Sequence, residues 1–108
     1  MRRVLLAAAA LALLAVGCGG TETTDVDSAV LVSCGDFRSV MADFGSGVLT
    51  DAELREKLKE IDRSASVSEH ADIRTGARSM LAAVTGGDVD GFFAAASKFD
   101  AACDRLGQ

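Results

Sequence analysis

The sequence contains no proline, no tryptophan and no tyrosine, and a single histidine, His70. Without proline, nothing inside the chain removes a helical hydrogen bond or forces a kink. One histidine leaves little room for metal chemistry, since a structural zinc takes four Cys or His ligands at set spacings. It also leaves little room for a Ser–His–acid nucleophile, because no motif fixes a hydroxyl beside His70. Positive charge is scarce too: 11 Lys and Arg stand against 16 Asp and Glu. Nucleic-acid binding draws on basic stripes that displace counterions, and anionic lipid attracts polybasic segments. Neither nucleic acid nor an anionic bilayer is therefore a charge-driven partner. Sustained period-2 alternation is absent as well, which argues against half-buried strands.

What is present begins with the basic head Met1-Arg2-Arg3 and an apolar run from Val4 to Val16, closed by Gly17-Cys18-Gly19-Gly20. A spanning helix needs ~20 apolar residues, so the run is too short to cross a bilayer and reads as a signal peptide. The stretch Leu14-Ala15-Val16-Gly17-Cys18 resembles the lipobox of bacterial lipoproteins. That resemblance implies removal of residues 1–17, a diacylglycerol on Cys18, and a lipid-anchored protein on the extracytoplasmic face of the cell membrane. The family favours leucine three residues before the cysteine, where this chain has Ala15. Two acyl chains suffice for stable anchoring, whereas one is marginal. The Lys-poor, Arg-, Asp- and Ala-rich composition has the style of a high-GC, actinobacterial host.

Cleavage after Gly17 leaves nine basic residues against 16 acidic ones, a balance of about −7. Residues 18–27 are small and polar after the cysteine and read as a flexible tether. Residues 28–108 carry apolar side chains at helical spacing. Val30, Cys34, Phe37, Met41 and Phe44 form a first stripe, stopped by Gly45-Ser46-Gly47. Thr50-Asp51-Ala52-Glu53 is a capping box, stapled by Leu49 and Leu54, that opens a second stripe of Leu54, Leu58, Ile61 and Ala65. Ser66-Val67-Ser68-Glu69 has the same pattern and precedes Ile73, Ala77, Met80 and Val84. Gly86-Gly87 close that segment, and Asp88 opens the last, with Val89, Phe92, Ala96, Phe99, Cys103 and Leu106. Four amphipathic segments with short connections predict an all-α, up-down-up-down four-helix bundle.

Cys34 falls early in the first helix and Cys103 late in the last, so an antiparallel bundle brings them together. A cysteine pair in an exported domain predicts a disulfide. Closing a 69-position loop is worth roughly 4 kcal/mol in the chain-entropy account. A redox-active pair would sit closer in sequence, as in C-x-x-C, at an exposed helix start.

Other candidates carry less. His70 reads as a surface histidine, and a haem held by His70 with Met41 or Met80 has no supporting motif. Asp88-Val89-Asp90-Gly91 resembles the start of a calcium loop, but Phe92-Phe93-Ala94 follow where oxygen ligands are needed. The mixed charges from Arg55 to Arg63 read as a solvated face. Phe92 and Phe93 are adjacent and cannot share one narrow stripe, so Phe93 is the candidate partner contact.

The runs Cys34-Gly35-Asp36-Phe37-Arg38 and Gly47-Val48-Leu49-Thr50-Asp51-Ala52-Glu53-Leu54-Arg55, with Gly87-Asp88 and Cys103, are similar to small exported helical proteins of actinobacteria. The resemblance implies the same fold and the same cysteine pair, and no activity. The mycobacterial haemophore-like proteins also carry a cysteine pair, but the His-Pro element belonging to them is missing here. The expectation is a non-catalytic, cofactor-free module that meets an envelope protein partner. The alternative is a carrier of a small apolar ligand held between the helices.

Overall fold

Helix starts and stops are written locally in most of this chain, and the helices follow them. The computed structural model describes residues 26–108. It contains α1 (Ser28–Gly45), α2 (Asp51–Ala65), α3 (Ala71–Thr85) and α4 (Val89–Arg105), and no strand among the described residues.

The start of α2 is the capping box read from the sequence. Thr50 Oγ1 accepts the Glu53 N–H at 3.1 Å, and Glu53 Oε1 accepts the Thr50 N–H at 2.9 Å. Asp88 caps α4 by accepting the Gly91 N–H at 2.9 Å, which is what the faintly calcium-like run does. The ends of α1 and α3 share one device. Val48 N–H donates to Asp43 O and Asp88 N–H to Ala83 O, both at 2.9 Å, across Gly47 and Gly87. These glycines sit at φ 79° and 72°, the left-handed region such Schellman closures use.

The turn between α2 and α3 departs from the sequence reading. Ser66 does not open α3; its hydroxyl donates back to Arg63 O at 2.7 Å, at the end of α2. His70 is the N-cap of α3 and makes no side-chain capping bond. Ser68 is instead buried, accepts the His70 N–H, and donates its hydroxyl to Asp27. Asp27 competes successfully for this serine because its carboxylate also receives the Glu69 N–H at 2.8 Å.

The helices form an antiparallel ring, each packing on the next, with α4 returning to α1. Rungs along α1 and α4 run in opposite order: Cys34 with Cys103, Phe37 with Phe99, Phe44 with Phe92. Phenylalanines set the spacing of that seam. The α3–α4 seam is closer because small residues line it. A Cβ on Gly76 would lie 2.9 Å from Phe99 Cδ1, inside normal contact.

The second stripe is buried as read: Leu54, Leu58, Ile61 and Ala65 are all at most 3% exposed. Fully burying each large aliphatic side chain contributes about 1.5–3 kcal/mol. In α1 the stripe drifts toward α2, so Val40 is buried while Met41 and Phe44 are half-buried. Val84 is half-buried, and Val89, at the mouth of α4, is exposed. Val26 packs on the core and Asp27 caps α1, so both belong to the fold rather than to the tether.

Candidate functional site

The bundle has two ends with different contents. At the chain-entry end lie Asp27, the Ser68 turn, the disulfide and the C-terminal residues. Cys34 and Cys103 are joined there, with Cα atoms 5.9 Å apart. Arg38 spans the same seam, reaching Asp100 at 3.2 Å and Asp104 at 2.8 Å. Arg105 pairs with Asp72 across α3 and α4. These pairs are exposed and worth about 0–1 kcal/mol each.

Asp27 is the most heavily engaged polar group at this end. Partial burial raises its pKa. The Glu69 and Val30 N–H groups, the Ser68 hydroxyl and the charge on His70 outweigh that and bring it below the usual carboxylate range. His70 therefore stands near Asp27, at the start of α3, and is half-buried rather than fully on the surface. The cysteine expected to carry lipid, Cys18, lies outside the described residues.

The opposite end holds an open groove of about 290 Å³ between the starts of α2 and α4 and the end of α3. Phe44, Leu54, Val84, Phe92 and Phe93 supply its apolar lining. Phe92 is buried and Phe93 is 49% exposed, so the adjacent pair divides between core and surface as read. The two rings pack edge to face, with centroids 5.2 Å apart. Val48 and Val89 are exposed at this same end.

Arg55 is the sole basic residue among those lining the groove. Its Nε has no solvent exposure and no hydrogen-bond partner among the described residues. Asp62 Oδ1 is in the same condition, one face-repeat further along α2. The Arg55–Arg63 stretch, read as a solvated face, is thus half-buried at these two residues. Positions 55 and 62 flank the fully buried Leu58 at helical spacing, which is the signal that sets part of each side chain against the core. Charge alone conceals it.

Two further grooves are lined differently. One, between α3 and α4, is floored by Gly76, Ser79, Ala95 and Ala101 and edged by charges. The other lies between α1 and α2, beside Asp36, Asp43, Lys57 and Glu60. Among the described residues, no three His, Cys, Asp or Glu side chains gather to hold a metal ion. Met41 and Met80 pack in the core. No described helix is long and apolar enough to cross a membrane. No known family model, curated protein or solved structure matches the chain.

Proposed function

We propose that this chain is an exported bacterial lipoprotein, held to the cell membrane through lipid on Cys18, whose helical bundle is a non-catalytic module for an envelope protein partner. The observation that carries the second half is the open apolar groove walled by the half-exposed Phe93. Aromatic and arginine side chains in partly desolvated pockets are where protein interfaces concentrate binding energy.

The chain enters the fold at Val26, and the groove lies at the other end of helices 15–18 residues long. At ~1.5 Å per residue, that separates the groove by roughly 20 Å from the point where the chain enters the bundle. The three grooves are open clefts, which favours a partner's side chain over an enclosed ligand. At about 290 Å³ the Phe93 groove also falls at the lower edge of small-molecule sites, which run ~300–1,000 Å³. Of its two carboxylates, Asp88 is committed to the Gly91 N–H.

Replacing Cys18 with Ser tests the anchor. The protein should move from the membrane fraction to the soluble fraction of its producing cells. Unchanged membrane retention would contradict the lipoprotein reading.

A further inference from the structure

Exposed apolar side chains are unevenly placed on this bundle. Among the described residues, six large ones stand in solvent: Leu31, Val32, Val48, Val67, Val89 and Phe93. Each lies in a turn or within the first five residues of a helix, and none on the middle of a helix flank. Val48, Val89 and Phe93 belong to the groove end. Leu31, Val32 and Val67 stand at the opposite, chain-entry end. Leu31 and Val32 are 53% and 49% exposed near the start of α1, and Val67 is 77% exposed in the α2–α3 turn. The two places adjoin, because Asp27, the N-cap of α1, accepts the Ser68 hydroxyl and the Glu69 N–H of that turn. Apolar residues scattered singly are ordinary on a protein surface, whereas a group gathered at one end marks a contact.

Charge does not select what covers this group. α1 is the one described helix without an acid in its first turn, and the exposed Ser28 and Ser66 are the uncharged neighbours of Leu31 and Val67 in the chain. Glu69 is exposed in the turn, and Arg63 and Arg74 bring positive charge to the same place. The course of the chain does select. Cys18, the residue expected to carry diacylglycerol, precedes Val26 by eight positions. Fully extended, that length reaches ~28 Å, and a flexible chain of it averages ~16 Å. The 18 residues of α1 rise ~27 Å, so the average tether is shorter than the bundle. It keeps the chain-entry end close to the bilayer without orienting the domain. The exposed side chains supply the orientation.

We propose that Leu31, Val32 and Val67 dock this end of the bundle on the lipid bilayer that holds the anchor, entering the boundary between headgroups and acyl chains. An aliphatic side chain gains there by leaving water and needs no charge on the lipid. Three such side chains bind a bilayer weakly by themselves. The tether makes the contact intramolecular, so a weak contact suffices. The bundle then stands on its chain-entry end and presents the Phe93 groove away from the membrane, where an envelope partner meets it. This orientation rests on the lipoprotein reading above.

The chain has no tryptophan or tyrosine, so a single introduced tryptophan reports its own position. The full chain with its anchor, purified from its producing cells as Val67→Trp or as Val48→Trp, is reconstituted in phosphatidylcholine vesicles with or without brominated acyl chains. Val48 and Val67 are similarly exposed turn residues at opposite ends, so the intrinsic lipid affinity of tryptophan cancels in the comparison. Flotation with the vesicles reads the anchor, and quenching by bromine reads the docking. Val67→Trp should be quenched at least about threefold more than Val48→Trp, at low and high salt alike, since apolar burial is not screened. Adding Leu31→Glu and Val32→Glu should lower the Val67→Trp quenching to the Val48→Trp level while the protein still floats. Both positions are exposed, and an acid near the positive end of α1 favours the helix, so the fold is kept. In protein that floats, equal quenching at both ends, quenching at neither, quenching lost at high salt, or quenching indifferent to the two glutamates overturns the proposal and leaves the lipoprotein reading standing. Protein that carries no lipid on Cys18 and does not float removes the lipoprotein reading and the proposal with it.

Discussion

The two ends of the bundle are closed by different physics. At the groove end, each turn is closed within itself: Gly47 and Gly87 complete Schellman closures, and Thr50 and Asp88 cap the helix that follows. At the chain-entry end, the Ser66–His70 turn has no glycine, and the N-cap residue His70 makes no side-chain capping bond. It is pinned from outside, by Asp27 from 41 and 42 positions away and by Arg74 Nη1 donating to Ser68 O at 2.7 Å. The disulfide adds a covalent link at the same end. The difference teaches where tolerance lies. A locally closed end can leave Val48, Val89 and Phe93 exposed without loosening, whereas an end built from long-range contacts cannot lose one without losing the turn it holds.

The largest effect should come from breaking the pinned end covalently. A Cys34→Ala, Cys103→Ala double variant should lose roughly 4 kcal/mol of stability, read from the urea midpoint. For a domain this small that approaches the total, so the variant should be partly unfolded at 37 °C. A midpoint shift of a few tenths of a molar would mean that the bundle does not depend on this link.

The next effect separates the two kinds of cap. Thr50→Ala removes a local cap and should cost ~1 kcal/mol. Asp27→Ala removes a cap on α1 together with the ties to Ser68 and Glu69, and should cost ~2–3 kcal/mol. Equal losses in thermal melting would show that Asp27 is only another helix cap.

The smallest effect is a pH dependence confined to acid. The folded-state pKa of Asp27 is lowered below its unfolded value. In the window between the two, the unfolded chain binds more protons, so stability rises with pH there. Asp27's contribution is fully present above the unfolded carboxylate pKa near 4 and is lost as pH falls through the folded value. Glu53 is lowered by its bond to the Thr50 N–H, and adds a change of the same sign. Asp27→Asn should flatten the acid limb of the stability curve more than Glu53→Gln does.

This contrast also explains what was legible in the sequence. Signals confined to a few neighbours could be read directly: the Thr50–Glu53 box, the Gly47 and Gly87 stops, the Asp88 cap, and the Leu54–Ala65 stripe. The cysteine pairing followed once the helices were placed antiparallel, because topology alone brings the two positions together. Phe93 could be placed at the edge because two adjacent rings cannot share one stripe. The failures fall where distant residues decide. Ser66–Glu69 has the letters of a capping box, but Asp27 takes Ser68, and nothing nearby in the sequence announces it. Arg55 reads as one charge in a charged run, and only its place beside Leu58 sets its Nε against the core. The core of α1 shifts from Met41 to Val40 because packing on α2 turns the stripe, which periodicity counted on one helix does not contain.

The most direct test of the two-ended account is native-state amide hydrogen exchange on Asp27→Ala against the unaltered chain. The Glu69 amide, which donates to Asp27, should lose at least about tenfold in protection, the equivalent of ~1.4 kcal/mol. The Val48 and Asp88 amides, held by their own turns at the far end, should change by no more than the variant's global loss of stability. Equal loosening of all three amides beyond that global loss, or retained protection at Glu69, would contradict the claim that one end is pinned by Asp27 while the other closes itself.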